Sequence, residues 1–330
     1  MNFQIYNSSD IGAPTLSGVT GSLISVLDAV LVNGYGSFAG AGWTKPLPNT
    51  GSYGMYKQGN GSTCSLFIYD SGSSNGAGAE AQATGWDSIT LMNDGAVTGS
   101  NPFPTYAQLS VGLGGGGGAG AVTIRKSNAK TSNSKEWIIF ADSSSMYMFI
   151  KTNDFGNGYT GFFFGDFYSL RSGSVDNSRC MIIGRTAASS SLATVEQLPA
   201  LSGTSLTTAR AGHFVAHTYS GGGTSITIGK HGDGVKGNIG GLDGSVPYLN
   251  AVDNGVYISP IWLVENSTGT IRGRMRGFYQ FCHSTSSLIN NQIFSGSTDF
   301  PNQTFQVIVP AVPTGSYFME TSDTLETNNP

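Results

Sequence analysis

The apolar residues of this chain fall in short blocks rather than long stripes, and the blocks are bounded by Gly, Asn, Asp and Ser. The middle is the most regular part. Trp137-Ile-Ile-Phe140, a turn at Asp142-Ser-Ser-Ser145, Met146-Tyr-Met-Phe-Ile150, a turn around Gly156-Asn-Gly158, and Tyr159 to Phe164 predict a three-stranded antiparallel meander. Its strands are almost continuously apolar, where a sheet with one wet face would alternate, so both faces are expected to be covered. Further strands are predicted at Ala121 to Lys126, Arg179 to Ile183, His213 to His217, Ser225 to Ile228, Val256 to Val264, Ile271 to Phe281 and Thr304 to Val309. Asn60-Gly61, Asp94-Gly95, Asn157-Gly158, Asp233-Gly234, Asp243-Gly244 and Asn254-Gly255 supply the positive φ angles of tight turns.

One segment has helical periodicity with both ends marked. Leu23, Leu27, Val30 and Leu31 share a face, Thr20 or Ser22 can cap the start, and Asn33-Gly34 supplies the stop. A second short helix is predicted within Ser189 to Leu198, ended by Pro199. No repeat of fixed period and no heptad pattern runs through the chain, which argues against a solenoid, a propeller or a coiled-coil shaft. The expected fold is therefore mainly β, with antiparallel sheets in a sandwich-like or barrel-like arrangement and one or two short helices.

Gly112-Leu-Gly-Gly-Gly-Gly-Gly-Ala-Gly120 is too costly in backbone entropy to lie inside a regular element. The expected boundary lies there, between an N-terminal lobe (1–111, with the helix at about 20–33) and a β-rich C-terminal domain (121–330) that ends in an acidic tail, Glu320 to Glu326.

Composition sharpens this picture. Charged residues are 11% of the chain and aromatic residues 11%, while glycine occupies 48 of 330 positions. A formal charge of −4 with 38% apolar residues is not the profile of a disordered chain, so a core can be buried. A monomer of 34.4 kDa has a surface of roughly 13,000 Å². Its 16 basic and 20 acidic residues cover that surface thinly. Ser, Thr, Asn and Gly must fill the rest, which favours close contact with other protein because few charges have to be desolvated. The mild acidity offers no electrostatic basis for sequence-specific nucleic-acid binding. No apolar run is long enough to span a bilayer, and Met1 to Tyr6 lacks the basic start and apolar stretch of a signal peptide. A soluble protein made in a cytoplasm is expected. Cys64, Cys180 and Cys282 sit beside apolar or aromatic residues and are expected to be buried, reduced thiols.

Candidate chemistry is sparse. Gly112-x-Gly114-x-x-Gly117 matches the dinucleotide fingerprint formally, but the strand-like Val122-Thr-Ile-Arg125 follows it where a helix is required. No cofactor is expected. His213 and His217 have the spacing of zinc-protease ligands, yet Phe214 occupies the position of the catalytic Glu, and on a strand they stand about 13 Å apart. Asp70, Asp142, Asp166, Asp176, Asp233 and Asp299 sit mostly beside Gly, Ser or Asn and read as turn acceptors. The expectation is a protein that is not an enzyme. Two surface candidates remain. Arg272, Arg274 and Arg276 alternate within Ile-Arg-Gly-Arg-Met-Arg-Gly, which would place three guanidinium groups on one strand face. They are candidate subunit contacts, to be met by carboxylates of a neighbour, by the acidic tail, by a sugar acid or by packaged DNA, with a solvated basic stripe as the alternative. Trp43 and Trp86, with Tyr53 and Tyr56 in Gly-rich surroundings, are candidate glycan contacts, although core packing is the commoner fate of such rings.

Several strings carry a resemblance. They are Asp10-Ile-Gly-Ala-Pro-Thr-Leu-Ser-Gly18, Leu27-Asp-Ala-Val-Leu-Val-Asn-Gly-Tyr-Gly36 with Gly42-Trp-Thr-Lys-Pro46, Phe163-Phe-Gly-Asp-Phe-Tyr-Ser169, Ile228-Gly-Lys-His-Gly-Asp233, and Met319-Glu-Thr-Ser-Asp-Thr-Leu-Glu-Thr-Asn328. With them the chain resembles, almost end to end, a family of tailed-bacteriophage virion structural proteins. The resemblance implies a structural part of the particle, assembled in the bacterial cytoplasm from copies of itself and other virion proteins. It attaches no chemistry to any residue. Within the particle the tail apparatus (tail, baseplate or collar) is expected. The alternatives are a capsid decoration protein, a receptor- or glycan-binding adsorption module, and last a glycan-cleaving tail enzyme.

Overall fold

The computed structural model describes residues 3–48, 51–70, 79–93, 96–105, 108, 120–152, 159–171, 176, 179–185, 211–221, 226–231, 258–265, 269–281, 289–296, 303–308 and 317–321. In chain order the elements are β1 (Gln4–Asn7), α1 (Ser22–Leu27), a π-helical turn (Asp28–Asn33), β2 (Tyr53–Lys57), β3 (Ser65–Tyr69), β4 (Ala79–Asn93), β5 (Ala96–Phe103), β6 (Val122–Ser127), β7 (Glu136–Ala141), β8 (Ser145–Lys151) and β9 (Thr160–Asp166). There follow β10 (Tyr168–Ser169), β11 (Cys180–Arg185), β12 (Ala211–Val215), β13 (Ile226–His231), β14 (Ile258–Glu265), β15 (Ile271–Phe281), β16 (Ile293–Ser295), β17 (Thr304–Ile308) and β18 (Tyr317–Glu320). The protein is mainly β and its sheets are antiparallel.

The expected meander forms the centre of the molecule. β7, β8 and β9 pair in register through Ile139↔Met148 and Met148↔Phe162, β1 flanks β7, and β11 with β12 continues beyond β9. Successive residues alternate between two cores, since side chains along a strand point to opposite faces. Ile139, Met148, Ile150, Phe162, Phe164 and Ile182 enter one core, and Ile138, Phe140, Tyr147, Phe149, Phe163 and Ile183 enter the other. That is the physical reason for the unbroken apolar runs. Each fully buried side chain of this size contributes about 1.5–3 kcal/mol.

Each face has its own cover. Over the first lie α1 and the sheet β2–β3–β4, with β5 and β6 hydrogen-bonded to β4. Leu66, Ile68, Ala81, Ala83, Val122 and Ile124 point inward with Leu23, Val26 and Leu27 of the helix. Over the second lies the C-terminal sheet β14–β15–β18–β17–β16, which contributes Ile261, Leu263, Met275, Phe278, Ile308 and Met319. β13 belongs to both sheets, pairing with β12 at Phe214↔Thr227 and with β14 at Ile228↔Glu265. A third, smaller cluster of Tyr53, Phe67, Trp86, Val97 and Ala121 covers the outer side of the N-terminal sheet.

Two sequence expectations are corrected here. The glycine run does not divide two cores: β4 pairs with β6 across it (Gln82↔Thr123), β1 pairs with β7, and one hydrophobic cluster takes residues from both sides. Its residues 112–119 lie outside those described. The helix start is not capped by Thr20 or Ser22, because Gly21 holds the cap position at φ 79° with no side-chain cap. A distant group serves instead, since Leu23 N donates to Asp70 Oδ2 at 2.9 Å. The stop at Gly34 (φ 81°) is as expected. The second predicted helix (189–198) and the tail beyond residue 321 lie outside the described residues. No helix among those described is long and apolar enough to cross a membrane.

Candidate functional site

The arginine strand is β15, and its surroundings explain why three cations can stand so close. Between Leu263↔Gly273 and Val264↔Ile271 the register slips by one residue, leaving Arg272 as the extra residue of a bulge. The Arg272 side chain is wholly buried, 3.1 Å from Glu265 Oε1 and 3.4 Å from Asp176 Oδ2, with its guanidinium over the rings of Phe167 and Tyr219. Burial lowers the pKa of this guanidinium, and the two carboxylates pull it back up. Gly273 is required beside it, because a Cβ there would lie 2.0 Å from Tyr168 O on the adjoining β10.

Arg276 is buried as well, at the centre of a polar knot built on the β7–β8 turn. Its two terminal nitrogens donate to Asp142 Oδ2 (2.7 Å), Ser144 Oγ (2.5 Å) and Ser145 Oγ (3.0 Å). Asp142 Oδ1 accepts from Ser144 N and Ser145 N, the turn-stabilising role its neighbours in sequence suggest. Trp43 Nε1 donates to Asp142 O at 2.6 Å, and Tyr147 Oη donates to Arg276 O at 2.7 Å. Asp166 lies alongside. It accepts from Gln58 Nε2, Ser62 N and Arg179 Nε, and its own backbone carbonyl accepts from Ser145 Oγ. Gly61 (φ 77°) makes this approach possible, since a Cβ there would stand 2.2 Å from Asp166 Oδ2.

The candidates thus separate. For Arg272 and Arg276 the expectation of a subunit contact is corrected: carboxylates of the same chain occupy both guanidinium groups in the interior. Arg274 differs. It is half-buried, stacks over the Tyr168 ring at 5.2 Å, and among the described residues makes no ion pair. Trp43 and Trp86 are 3% and 2% exposed, packed in two different cores, so neither presents a ring to a glycan. Tyr53 and Tyr56 are buried with them.

Two further polar centres have no local signal in the sequence. Lys126 and Asp70 form a fully buried ion pair, and Lys126 Nζ also donates to Val19 O at 2.9 Å. Burial pushes the Asp70 carboxyl up and the Lys126 amine down, while their contact opposes both shifts. The second centre is His217, whose Nε2 is 2.6 Å from Asp87 Oδ2. Asn101 (φ 46°) donates to Asp87 Oδ2 and to Ala216 O. His213, by contrast, is buried on β12 opposite Ile183. The two histidines serve different neighbours. Among the described residues no three His, Cys, Asp or Glu side chains are grouped to hold a metal ion.

In chemical terms, the hydroxyls of Ser144 and Ser145 face a guanidinium rather than a base, and Asp142 and Asp166 are saturated with donors. This arrangement holds elements together. The molecule belongs to the class of layered antiparallel β proteins whose sheets are tied through buried ion pairs. No protein-family model matches the chain, and no curated protein matches it.

Proposed function

We propose that this protein is a non-catalytic structural component of a tailed-phage virion, most fittingly of the tail apparatus, acting by packing against copies of itself and other virion proteins. The observation that carries the reading is where the charges lie. Among the described residues eleven charged side chains, including Asp70, Lys126, Asp142, Asp166, Arg272 and Arg276, are buried in the chain's own layers. The exterior is therefore poorer in charge than composition alone indicates, and a surface of uncharged polar groups can be covered by another protein with little desolvation cost. The resemblance of the strings at Asp10 to Gly18, Phe163 to Ser169 and Met319 to Asn328 to tailed-phage proteins supplies the setting. Burial of Trp43 and Trp86 removes the residues on which a glycan-binding reading rested.

The test is the position and stoichiometry of the chain in intact particles. Antibody labelling with quantitative mass spectrometry should find it in many copies, in rings about the tail axis. Purified particles that lack the chain, together with a purified protein that sediments as a monomer at high concentration, would overturn the reading.

A further inference from the structure

The hydrophobic core between the N-terminal and central sheets contains two thiols, Cys64 and Cys180, both free and both buried. They come from opposite layers. Cys64 stands immediately before β3, and Cys180 opens β11. A short polar chain fixes their approach. Cys64 N donates to Gln58 Oε1 at 2.7 Å, and Gln58 Nε2 donates to Asp166 Oδ1 at 3.1 Å. Asp166 is the residue directly opposite Cys180 in the β9–β11 ladder, where facing residues lie about 5 Å apart. Ser62 N, two residues before Cys64, reaches the same carboxylate at 3.0 Å. The backbones that carry the two sulfurs are thus held by one aspartate, and both side chains are buried in the same hydrophobic cluster.

We infer that Cys64 and Cys180 are a latent cross-link between the two layers, closed by thiol–disulfide exchange once the protein meets a low-molecular-weight disulfide. Cys64 reacts first. It follows the exposed residues Asn60 and Thr63, whereas Cys180 is fully enclosed and its thiol is pushed up by burial. The Cys64 thiol loses its proton, its sulfur attacks the small disulfide RSSR, one RS⁻ leaves and takes up a proton, and a mixed disulfide remains on Cys64. The Cys180 thiol then loses its proton and attacks the Cys64 sulfur, forming the Cys64–Cys180 bond and expelling the second RS⁻. Two protein thiols are oxidised, and one RSSR is reduced to two RSH. The closed loop would span β3 to the start of β11, a length at which a cross-link strongly restricts the unfolded chain.

The inference stands apart from the virion reading and can fail separately. The full-length protein is incubated with 2-hydroxyethyl disulfide and then denatured. One titratable thiol should remain, Cys282. The mass should fall by two hydrogens, and a non-reduced digest should yield a single linked peptide joining Cys64 to Cys180. The thermal midpoint should rise by several degrees and return on reduction, and Cys282→Ser should behave like the parent. Three titratable thiols after treatment, a 2-hydroxyethyl adduct that persists on Cys64, or a linkage through Cys282 would each overturn it. Assembly state does not enter any of these readouts.

Discussion

The two faces of the central sheet are covered in different ways. On the helix side small and aliphatic residues, Ala81 and Ala83 of β4 and the apolar face of α1, lie over Ile139, Met148 and Ile182, and the rings of Trp43 and Phe103 stand 5.8 and 6.1 Å from that of Phe164. Its ion pair, Lys126–Asp70, sits at the helix start and is wholly dry. On the C-terminal side Ile261, Leu263, Met275, Ile308 and Met319 of the cover pack in one core with the Phe278 ring, which stands 5.4 Å from that of Tyr147, and arginines enter from the covering strand itself. The helix side fixes one element by one remote cap. The C-terminal side fixes a whole sheet through β15, whose Arg272 lies between Glu265 and Asp176 and whose Arg276 meets Asp142 and the hydroxyls of Ser144 and Ser145. Polar contacts are directional and apolar ones are not, so both sides use a buried charge where an element's position must be unique.

Removing half of the dry pair should have the largest effect. Lys126→Met leaves Asp70 enclosed with only backbone donors, and the loss of one partner of a buried pair costs about 3–5 kcal/mol. Urea unfolding should show that drop. Replacing both partners by apolar residues of similar volume (Asp70→Leu with Lys126→Met) should recover most of it. A single variant within 1 kcal/mol of the parent, on the scale of about 1 kcal/mol for an ordinary surface contact, would show that Asp70 does not hold the helix start.

The C-terminal side should yield somewhat less to a comparable change. Arg276→Met removes the charge opposite Asp142, which keeps its bonds from Ser144 and Ser145, so the expected cost is about 2–4 kcal/mol. Arg276→Lys should restore little, since a single ammonium cannot reach Asp142, Ser144 and Ser145 with the geometry of a guanidinium fork. Full rescue by lysine would mean that charge alone matters there. Tyr147→Phe, which only frees Arg276 O, should cost about 1 kcal/mol, and a loss as large as that of Arg276→Met would show that the aromatic packing has also shifted.

What the sequence disclosed follows the same division. The meander was legible because Trp137 to Phe140 and Met146 to Ile150 are buried on both sides and bounded by strong turn residues. The strands at Tyr53 to Phe103 were not, because Gly54, Ala81, Ala83 and Gly85 alternate correctly but are too small to register as apolar. A Cβ on Gly54 would lie 2.8 Å from Ile24 Cδ1, so closeness to the helix requires that smallness. The same glycine-rich background kept Trp43 and Trp86 as candidates for a shallow surface site, although core packing is the commoner fate of such rings. For the arginines, strand periodicity located β15 from Ile271 to Phe281 but not its occupants, since Asp176 lies 96 residues from Arg272 and Asp142 lies 134 from Arg276. Nothing near Asp87 announces His217, 130 residues away.

That rim contact should matter less than either interior centre. His217 and Asp87 are partly exposed, at 22% and 29%, and water screens such pairs, so His217→Ala should cost below about 1 kcal/mol. A loss equal to that of Lys126→Met would make it part of the core instead.

Arg274 should have the smallest effect on folding and the most informative one on assembly. Its two sister arginines are held by carboxylates of the chain, whereas Arg274 stacks over Tyr168 and, among the described residues, no ion pair engages it. Arg274→Glu is therefore expected to leave the unfolding free energy within about 0.5 kcal/mol of the parent, as for surface substitutions elsewhere. If the strand presents this guanidinium to a neighbouring copy or another virion protein, the same change places like charges at the contact and should shift sedimentation towards smaller species. Arg274→Lys should retain part of the assembly, because the charge survives while the planar stacking on Tyr168 does not. Unchanged assembly of the glutamate variant would remove Arg274 from the contact surface and leave the uncharged polar exterior as the sole basis for association.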